Sequence, residues 1–233
     1  MNGKNCLARK KEELRPDSDF YSTPKSLVWV IKDVILKEFP KDINILEPGS
    51  GENAIAEELT KYGYNITTND IRIDTDTDCH SDYLNQTSLD TYKYVITNPP
   101  FSLWDKFILK SKEHCSKFMV IGKSDYLSAH GRNTTGLWDN LKHIYVFDRK
   151  VDFQTPYRTD GKFHLGMLNA AWFLFDMEYT GDVTISVVDV NDYAKLGPYN
   201  KLKKCVNCIG SECEMCKGKG KVVVPYDERG LQI

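Results

Sequence analysis

The sequence has no apolar run near the ~20 residues that a membrane span requires, and its basic opening, MNGKNCLARKKEELRPD, is followed by no hydrophobic stretch. The expectation is a cytoplasmic chain without a membrane partner. A dominant charge is also missing: 31 Lys and Arg stand against 33 Asp and Glu, a net charge of -2. Any nucleic-acid binding must therefore come from a local patch. There is no internal repeat, the histidines His80, His114, His130, His143 and His164 form no i, i+4 metal pair, and no Ser-His-Asp set can be assembled. At 41% hydrophobic and 27% charged residues, neither disorder nor collagen-like order fits. The 233 residues suit one α/β domain with a small appendage.

Seven cysteines are present, but without a signal peptide and with length enough for a core they do not read as a disulfide scaffold. Four of them crowd together as Cys205-x2-Cys208-x4-Cys213-x2-Cys216. Four thiolates at tetrahedral reach make a closed, structural Zn2+ site with no position left for water. The short central spacer also allows metal shared between two chains, so monomer and dimer both stay open. Cys6, Cys79 and Cys115 are scattered and read as reduced thiols. Charge divides along the chain: seven lysines between Lys195 and Lys221 face only Glu212 and Glu214, whereas Asp70 to Asp90 is acidic. The run Lys201-Leu202-Lys203-Lys204, with Tyr193 and Tyr199 nearby, is either a solvated face or a phosphate-contacting surface.

Apolar spacing from Pro24 to Phe39 predicts a helix of about 15 residues, with Pro24 in its first turn and Pro40 ending it. A strand at Ile43 to Leu46, a glycine turn and a helix over ENAIAEELTKY follow, the last stopped by Gly63. Further strands are expected at Tyr64 to Thr68, Tyr94 to Thr97, Phe118 to Ile121, Ile144 to Phe147, Ala170 to Phe175 and Gly181 to Val190, with a helical face at Trp104, Phe107, Ile108 and Ser111. This alternation predicts an open α/β sheet with helices on both faces and ligands outside the carboxyl ends of its strands. Residues 1–18 read as a polar leader, 19–190 as the main domain and 191–233 as a basic segment carrying the four-cysteine zinc motif.

Glu47-Pro48-Gly49-Ser50-Gly51-Glu52-Asn53-Ala54 matches G-x-G-x-x-A between a strand and a helix, and Asp70 ends the next strand. Glycines let backbone approach a ligand, and a carboxylate at that strand end can accept both ribose hydroxyl protons, so NAD and S-adenosyl-L-methionine fit equally. Asn98-Pro99-Pro100-Phe101, also at a strand end, favours the second. The amino nitrogen of adenine is a poor nucleophile because its lone pair is delocalised into the ring. Acceptors at the Asn98 side chain and the Pro99 carbonyl would draw it toward tetrahedral geometry and stabilise the charge that develops as it attacks a methyl sulfonium. Pro100 restricts the turn, and Phe101 can stack on an extruded base.

Taken in order, these segments resemble the S-adenosylmethionine-dependent N6-adenine DNA methyltransferases of the gamma-like motif order, similar to those of bacteriophages and prophages. Asp19-Phe20-Tyr21-Ser22-Thr23-Pro24 resembles the family's N-terminal cofactor motif, which implies that Tyr21, Thr23 and Pro24 lie at the methionine part of the cofactor. Leu46 to Gly51 resembles its Gly-rich motif, with Glu47 near the methionine group and Asp70 the ribose-binding acid. Asp82-Tyr83-Leu84 resembles the segment whose Asp holds the cofactor adenine, and Asn98 to Phe101 the catalytic tetrapeptide. The resemblance implies a Rossmann-like methyltransferase sheet in a bacterial or phage-infected cell. Phe101 replaces the commoner Tyr, and Phe153 is the candidate for a second stacking ring. The implied activity is site-specific methylation of DNA adenine, with RNA as alternative substrate and a non-catalytic nucleic-acid-binding module as alternative function. A glutamine-modifying protein methyltransferase uses a similar turn, usually ending in Tyr, but would not need a basic zinc segment. That segment is expected to contribute phosphate contacts and target recognition.

Overall fold

A computed structural model describes residues 23–151, 153, 168–190, 200–204 and 221–225. Its main feature is an eight-stranded sheet built from β1 (Asn44–Pro48), β2 (Asn65–Asp70), β3 (Cys79–His80), β4 (Tyr94–Thr97), β5 (Lys117–Lys123), β6 (Leu141–Phe147), β7 (Ala170–Asp176) and β8 (Thr184–Val188). The spatial order is β3-β2-β1-β4-β5-β7-β6-β8. β1 pairs in parallel with β2 and β4, and β4 with β5, whereas β7 runs antiparallel between β5 and β6. The sheet is Rossmann-like, but a dinucleotide fold of order 3-2-1-4-5-6 has no such reversed strand. Strand order reverses between β1 and β4, and their carboxyl ends therefore flank a crevice.

Both faces of the sheet are covered, which explains the nearly continuous apolar runs in β5 and β7. Successive side chains go to opposite faces. Phe118, Val120, Phe173 and Phe175 join Trp104, Phe107 and Ile108 of α4 (Trp104–His114) in one core. Met119, Ile121, Trp172 and Leu174 join α1 (Ser26–Trp29), α2 (Lys32–Glu38) and α3 (Ala54–Lys61) in the other. At the edge, β8 pairs in parallel with β6 and leaves Ile185 and Val187 exposed.

The single helix expected from Pro24 to Phe39 is instead two. Val28, Val30, Ile31, Val34 and Ile35 crowd the stretch with β-branched side chains, which lose rotamer freedom in a helix. In addition, the Trp172 indole N–H donates to the Leu27 carbonyl at 2.8 Å, the acceptor that a continuous helix would assign to Ile31 N–H. Ile31 N–H turns to the Val28 carbonyl at 3.2 Å, and α2 restarts from there. β3 was not legible, because two residues carry no periodicity.

A separate two-stranded antiparallel sheet joins β9 (Asn200–Lys204) to β10 (Lys221–Pro225). The basic run from Lys201 is thus strand backbone, and Lys204 pairs with Lys221. Cys205, Cys208, Cys213 and Cys216 fall between these strands and outside the described residues. Among the described residues no His, Cys, Asp and Glu group forms a metal site, and no helix is long and apolar enough to cross a membrane. Cys115 is buried and Cys79 exposed, neither in a disulfide.

Candidate active site

The end of β1 is held open by conformations that side chains resist. Gly49 and Gly51 have φ of +75° and +55°, and Asn53, the residue before α3, has +59°. Glycine adopts these at no steric cost, and Asn is among the residues that tolerate them. The turn is fastened to β2: Gly49 N–H and Ser50 N–H both donate to the Asn69 carbonyl, at 2.7 and 3.0 Å. Gly51 N–H donates to Asp70 Oδ2 at 2.8 Å, while Asp70 Oδ1 accepts from Arg72 N–H at 2.9 Å. Asp70, expected as a ribose acid, is therefore also the brace of the glycine turn, and each of its oxygens keeps further acceptor capacity.

Glu47 is 2% exposed, and its Oε2 accepts from Ala56 N–H in the first turn of α3 at 2.8 Å. Burial pushes its carboxyl well above the usual range, the nearby Asp70 charge adds to this, and the Ala56 bond opposes it. Ser50 is also buried, and its hydroxyl finds no hydrogen-bond partner among the described residues. A buried polar group without a partner calls for one from a ligand or water.

The catalytic candidate sits one strand over. Thr97, the last residue of β4, donates from its hydroxyl to the Pro48 carbonyl at 2.5 Å, which ties the ends of β4 and β1 together. Asn98 follows directly, and its Nδ2 donates to Thr23 Oγ1 at 3.0 Å. That bond uses an amide hydrogen and leaves the Asn98 carbonyl oxygen as the acceptor of the side chain. The Tyr126 hydroxyl donates to the Phe101 carbonyl at 3.0 Å, and the Trp104 indole, at the start of α4, donates to the Ile121 carbonyl at 2.8 Å. Together they hold the C-terminal side of the Asn-Pro-Pro-Phe turn against β5 and the turn that follows it.

Thr23, Gly49, Ser50, Asp70, Asp82, Tyr83 and Asn98 to Phe101 line a single cleft with about 850 Å³ of empty space counted to its open side. Leu103 and Phe107 complete an apolar wall. Asp82 caps a short 3-10 turn, accepting from Leu84 N–H at 3.0 Å and from Asn85 Nδ2 at 2.6 Å. Tyr83 backs the cleft with its ring against Phe107, centroids 5.1 Å apart, but its hydroxyl points into the core, at 2.9 Å from both Ser111 Oγ and His114 Nε2. Burial lowers the His114 pKa, and His114 Nδ1 lies 2.8 Å from the Tyr92 carbonyl. Pro24 lies just before α1, its carbonyl accepting from Leu27 N–H. Tyr21 lies outside the described residues.

Phe101 and Phe153 meet edge to face, with centroids 5.5 Å apart and planes at 87°. Phe153 is only 2% exposed, so in this arrangement it packs against Phe101 and offers no open ring face of its own. Lys123, at the end of β5, lies over the Phe101 ring at 5.1 Å from its centroid. Ser50, Phe107, Tyr126 and Lys123 were not singled out from the sequence as site residues. Phe107 was visible only as part of a helical apolar face, which looks the same whether it meets a core or a cleft.

No protein-family model matches the sequence, and no curated protein matches it. Solved structures similar to it include the 23S rRNA methyltransferase ErmE, at 13% identity over 70% of this chain and 72% of that one, with a TM-score of 0.47. A SAM-dependent methyltransferase from Archaeoglobus fulgidus is 12% identical over 65% of this chain and 94% of its own, TM-score 0.44. A dimethyladenosine transferase from Plasmodium falciparum is 11% identical over 67% and 62%, TM-score 0.44. At these identities and scores the likeness carries no argument about what this chain does.

Proposed function

We propose that this chain transfers a methyl group from S-adenosyl-L-methionine to N6 of adenine in DNA. The observation that carries the reading is the Asn98-Pro99-Pro100-Phe101 turn at the rim of the glycine-turn cleft, with the Asn98 amide oriented by Thr23. The cofactor fits the residues present. The positive-φ glycines keep the floor open to backbone contact, and the Ser50 hydroxyl lacks a partner among the described residues. Asp70 and Asp82 have acceptor capacity for ribose hydroxyls and an adenine amino group, and the Glu47 carboxyl is buried behind the turn, where a cationic amino group would draw it to its ionised form. Thr23, Pro24 and Tyr21 would complete the methionine end.

The cofactor supplies a methyl on a sulfonium whose sulfur leaves as a neutral thioether. What the chain's own residues do is hold the adenine. Asn98 Oδ1 and the Pro99 carbonyl accept from its amino group, which brings the nitrogen lone pair out of the ring and stabilises the positive charge formed as the N–C bond is made. The extra proton then leaves to solvent. Phe101 supplies the stacking face, an interaction worth ~1 to 3 kcal/mol per base. Phe153, edge-on to it, fixes the ring's angle rather than sandwiching the base.

Cys205, Cys208, Cys213 and Cys216 would hold Zn2+ as a structural ion. Pairing of Lys204 with Lys221 supports this, since it brings the two ends of the cysteine segment to within one strand spacing, ~5 Å. A loop closed in that way would let the four thiolates of one chain reach a single ion.

Calorimetry with S-adenosyl-L-methionine and with NAD, followed by methyl-transfer assays on matched DNA and RNA oligonucleotides, tests the proposal. Binding of the former alone and transfer to DNA adenine are expected. Transfer only to RNA would move the substrate to the alternative, and failure to bind S-adenosyl-L-methionine would leave a non-catalytic module.

A further inference from the structure

Most partly buried cations among the described residues are matched by carboxylates, and Lys112, which is not, donates instead to the Gly136 and Asp139 carbonyls. Lys25 pairs with Glu57, Lys117 and Lys142 with Glu38 and Asp176, Arg132 with Asp105, and Arg149 with Asp148. Lys123 is partly buried too, yet among the described residues its ammonium makes neither an ion pair nor a hydrogen bond. Its ammonium rests on the face of Phe101 instead, 5.1 Å from the centroid. A cation on a phenyl ring is held more weakly than one hydrogen-bonded to an anion.

Position adds a second argument. β5 lies beside β4 in the sheet, and Lys123 ends β5 as Asn98 follows the end of β4. Phe101 borders the cleft, whereas Lys123 is not among the residues that line it. The ammonium is thus next to the ring on which a base would stack but outside the space a cofactor would fill. The group that brings negative charge to that place with an adenine is the phosphodiester of the same nucleotide. This role for Lys123 rests on Phe101 being the base platform, as argued above.

We propose that Lys123 is the phosphate contact for the target nucleotide: it covers the Phe101 face while no base is present, and passes to the adjacent DNA phosphodiester when an adenine takes that face. The exchange keeps the apolar ring covered in both states. It also couples entry of the base to a charge-assisted bond outside the cleft, which favours an adenine carried on a strand over free adenine.

The test uses the full chain and a labelled single-stranded oligodeoxyadenylate, which offers adenines with no extrusion cost. Equilibrium binding is measured over a KCl series for the wild type, Lys123→Met, which keeps the aliphatic stem over the ring, and Lys123→Arg, which keeps the charge. Retained thermal transition and S-adenosyl-L-methionine binding show that the variants fold. Each phosphate neutralised on a single strand contributes about 0.7 to the slope of log K against log salt. Lys123→Met is expected to make that slope shallower by about this amount, and Lys123→Arg to preserve it. Identical slopes for wild type and Lys123→Met would overturn the contact. Because the titration needs no methyl transfer, a shallower slope in a protein that never methylates adenine would keep the contact and remove the chemistry proposed for the site. An unchanged slope in a protein that does methylate would remove the contact alone.

Discussion

Thr23 and Asn98 are 75 positions apart in the sequence and 3.0 Å apart at their side chains. Each was visible as part of a motif, but the bond between them was not, because nothing in spacing alone says which hydroxyl reaches an amide across the sheet. Its consequence is a set orientation of Asn98. Thr23→Val keeps the branched shape and removes the acceptor, so kcat for methyl transfer is expected to fall about 10-fold or more, with a smaller change in the KM for DNA. Thr23→Ser should restore it. Equal losses in both variants, or a change confined to KM, would make Thr23 a packing residue. Ser50 is inconspicuous in the sequence for a different reason: a serine in a glycine turn is ordinary until its hydroxyl proves buried and without a partner among the described residues.

Glu47 gives a prediction in pH. Its folded pKa lies above that of an unfolded carboxyl, chiefly through burial and with help from the Asp70 charge. The folded state therefore holds a proton that the unfolded chain releases, so stability is greatest below the ordinary carboxyl pKa and falls as pH rises toward the folded one. Glu47→Gln removes that dependence. In ligand-free protein, its thermal midpoint minus that of the wild type should increase from about pH 5 to about pH 8. A difference that stays constant across this range would mean that Glu47 is not held protonated by burial.

Among the elements, strands that are apolar on both faces were the most legible, and β4 begins and ends where its sequence pattern does, at Tyr94 and Thr97. The break in the helix after Pro24 is not legible in the sequence because it depends on Trp172, an indole donor from a strand far along the chain. The β9–β10 pair was hidden for want of alternation, since Lys201, Lys203 and Lys204 look like a solvated charge run. Its pairing gives the cysteine segment a closed base. With Zn2+ bound as proposed, a segment this small would gain much of its stability from the metal. Truncation before Lys195, or Cys213→Ser with Cys216→Ser, is expected to leave S-adenosyl-L-methionine binding nearly unchanged while weakening DNA binding and its salt dependence. A truncated protein with the same site preference and salt slope would make the segment a stability or dimer element.

For the molecule as a whole, the sheet order gathers segments that the sequence keeps far apart. Residues near Thr23, Gly49, Asp70, Asp82 and Asn98 come to one cleft because β1, β2 and β4 are parallel neighbours whose carboxyl ends lie together. The parallel order was inferred from alternating strands and helices, but the antiparallel entry of β7 could not be, as no local signal sets the direction of a late strand. Under the proposed function this arrangement would present S-adenosyl-L-methionine to the Asn98 turn, where Asn98 would activate an adenine amine. The most direct measurement is sequencing for N6-methyladenine in DNA from cells producing the wild-type chain and from cells producing Asn98→Ala, with S-adenosyl-L-methionine binding checked on both purified proteins. Methylated adenines with the wild type, and their loss in a variant that still binds the cofactor, are expected. Undiminished methylation by Asn98→Ala, or none by a wild type that binds the cofactor, would contradict the account.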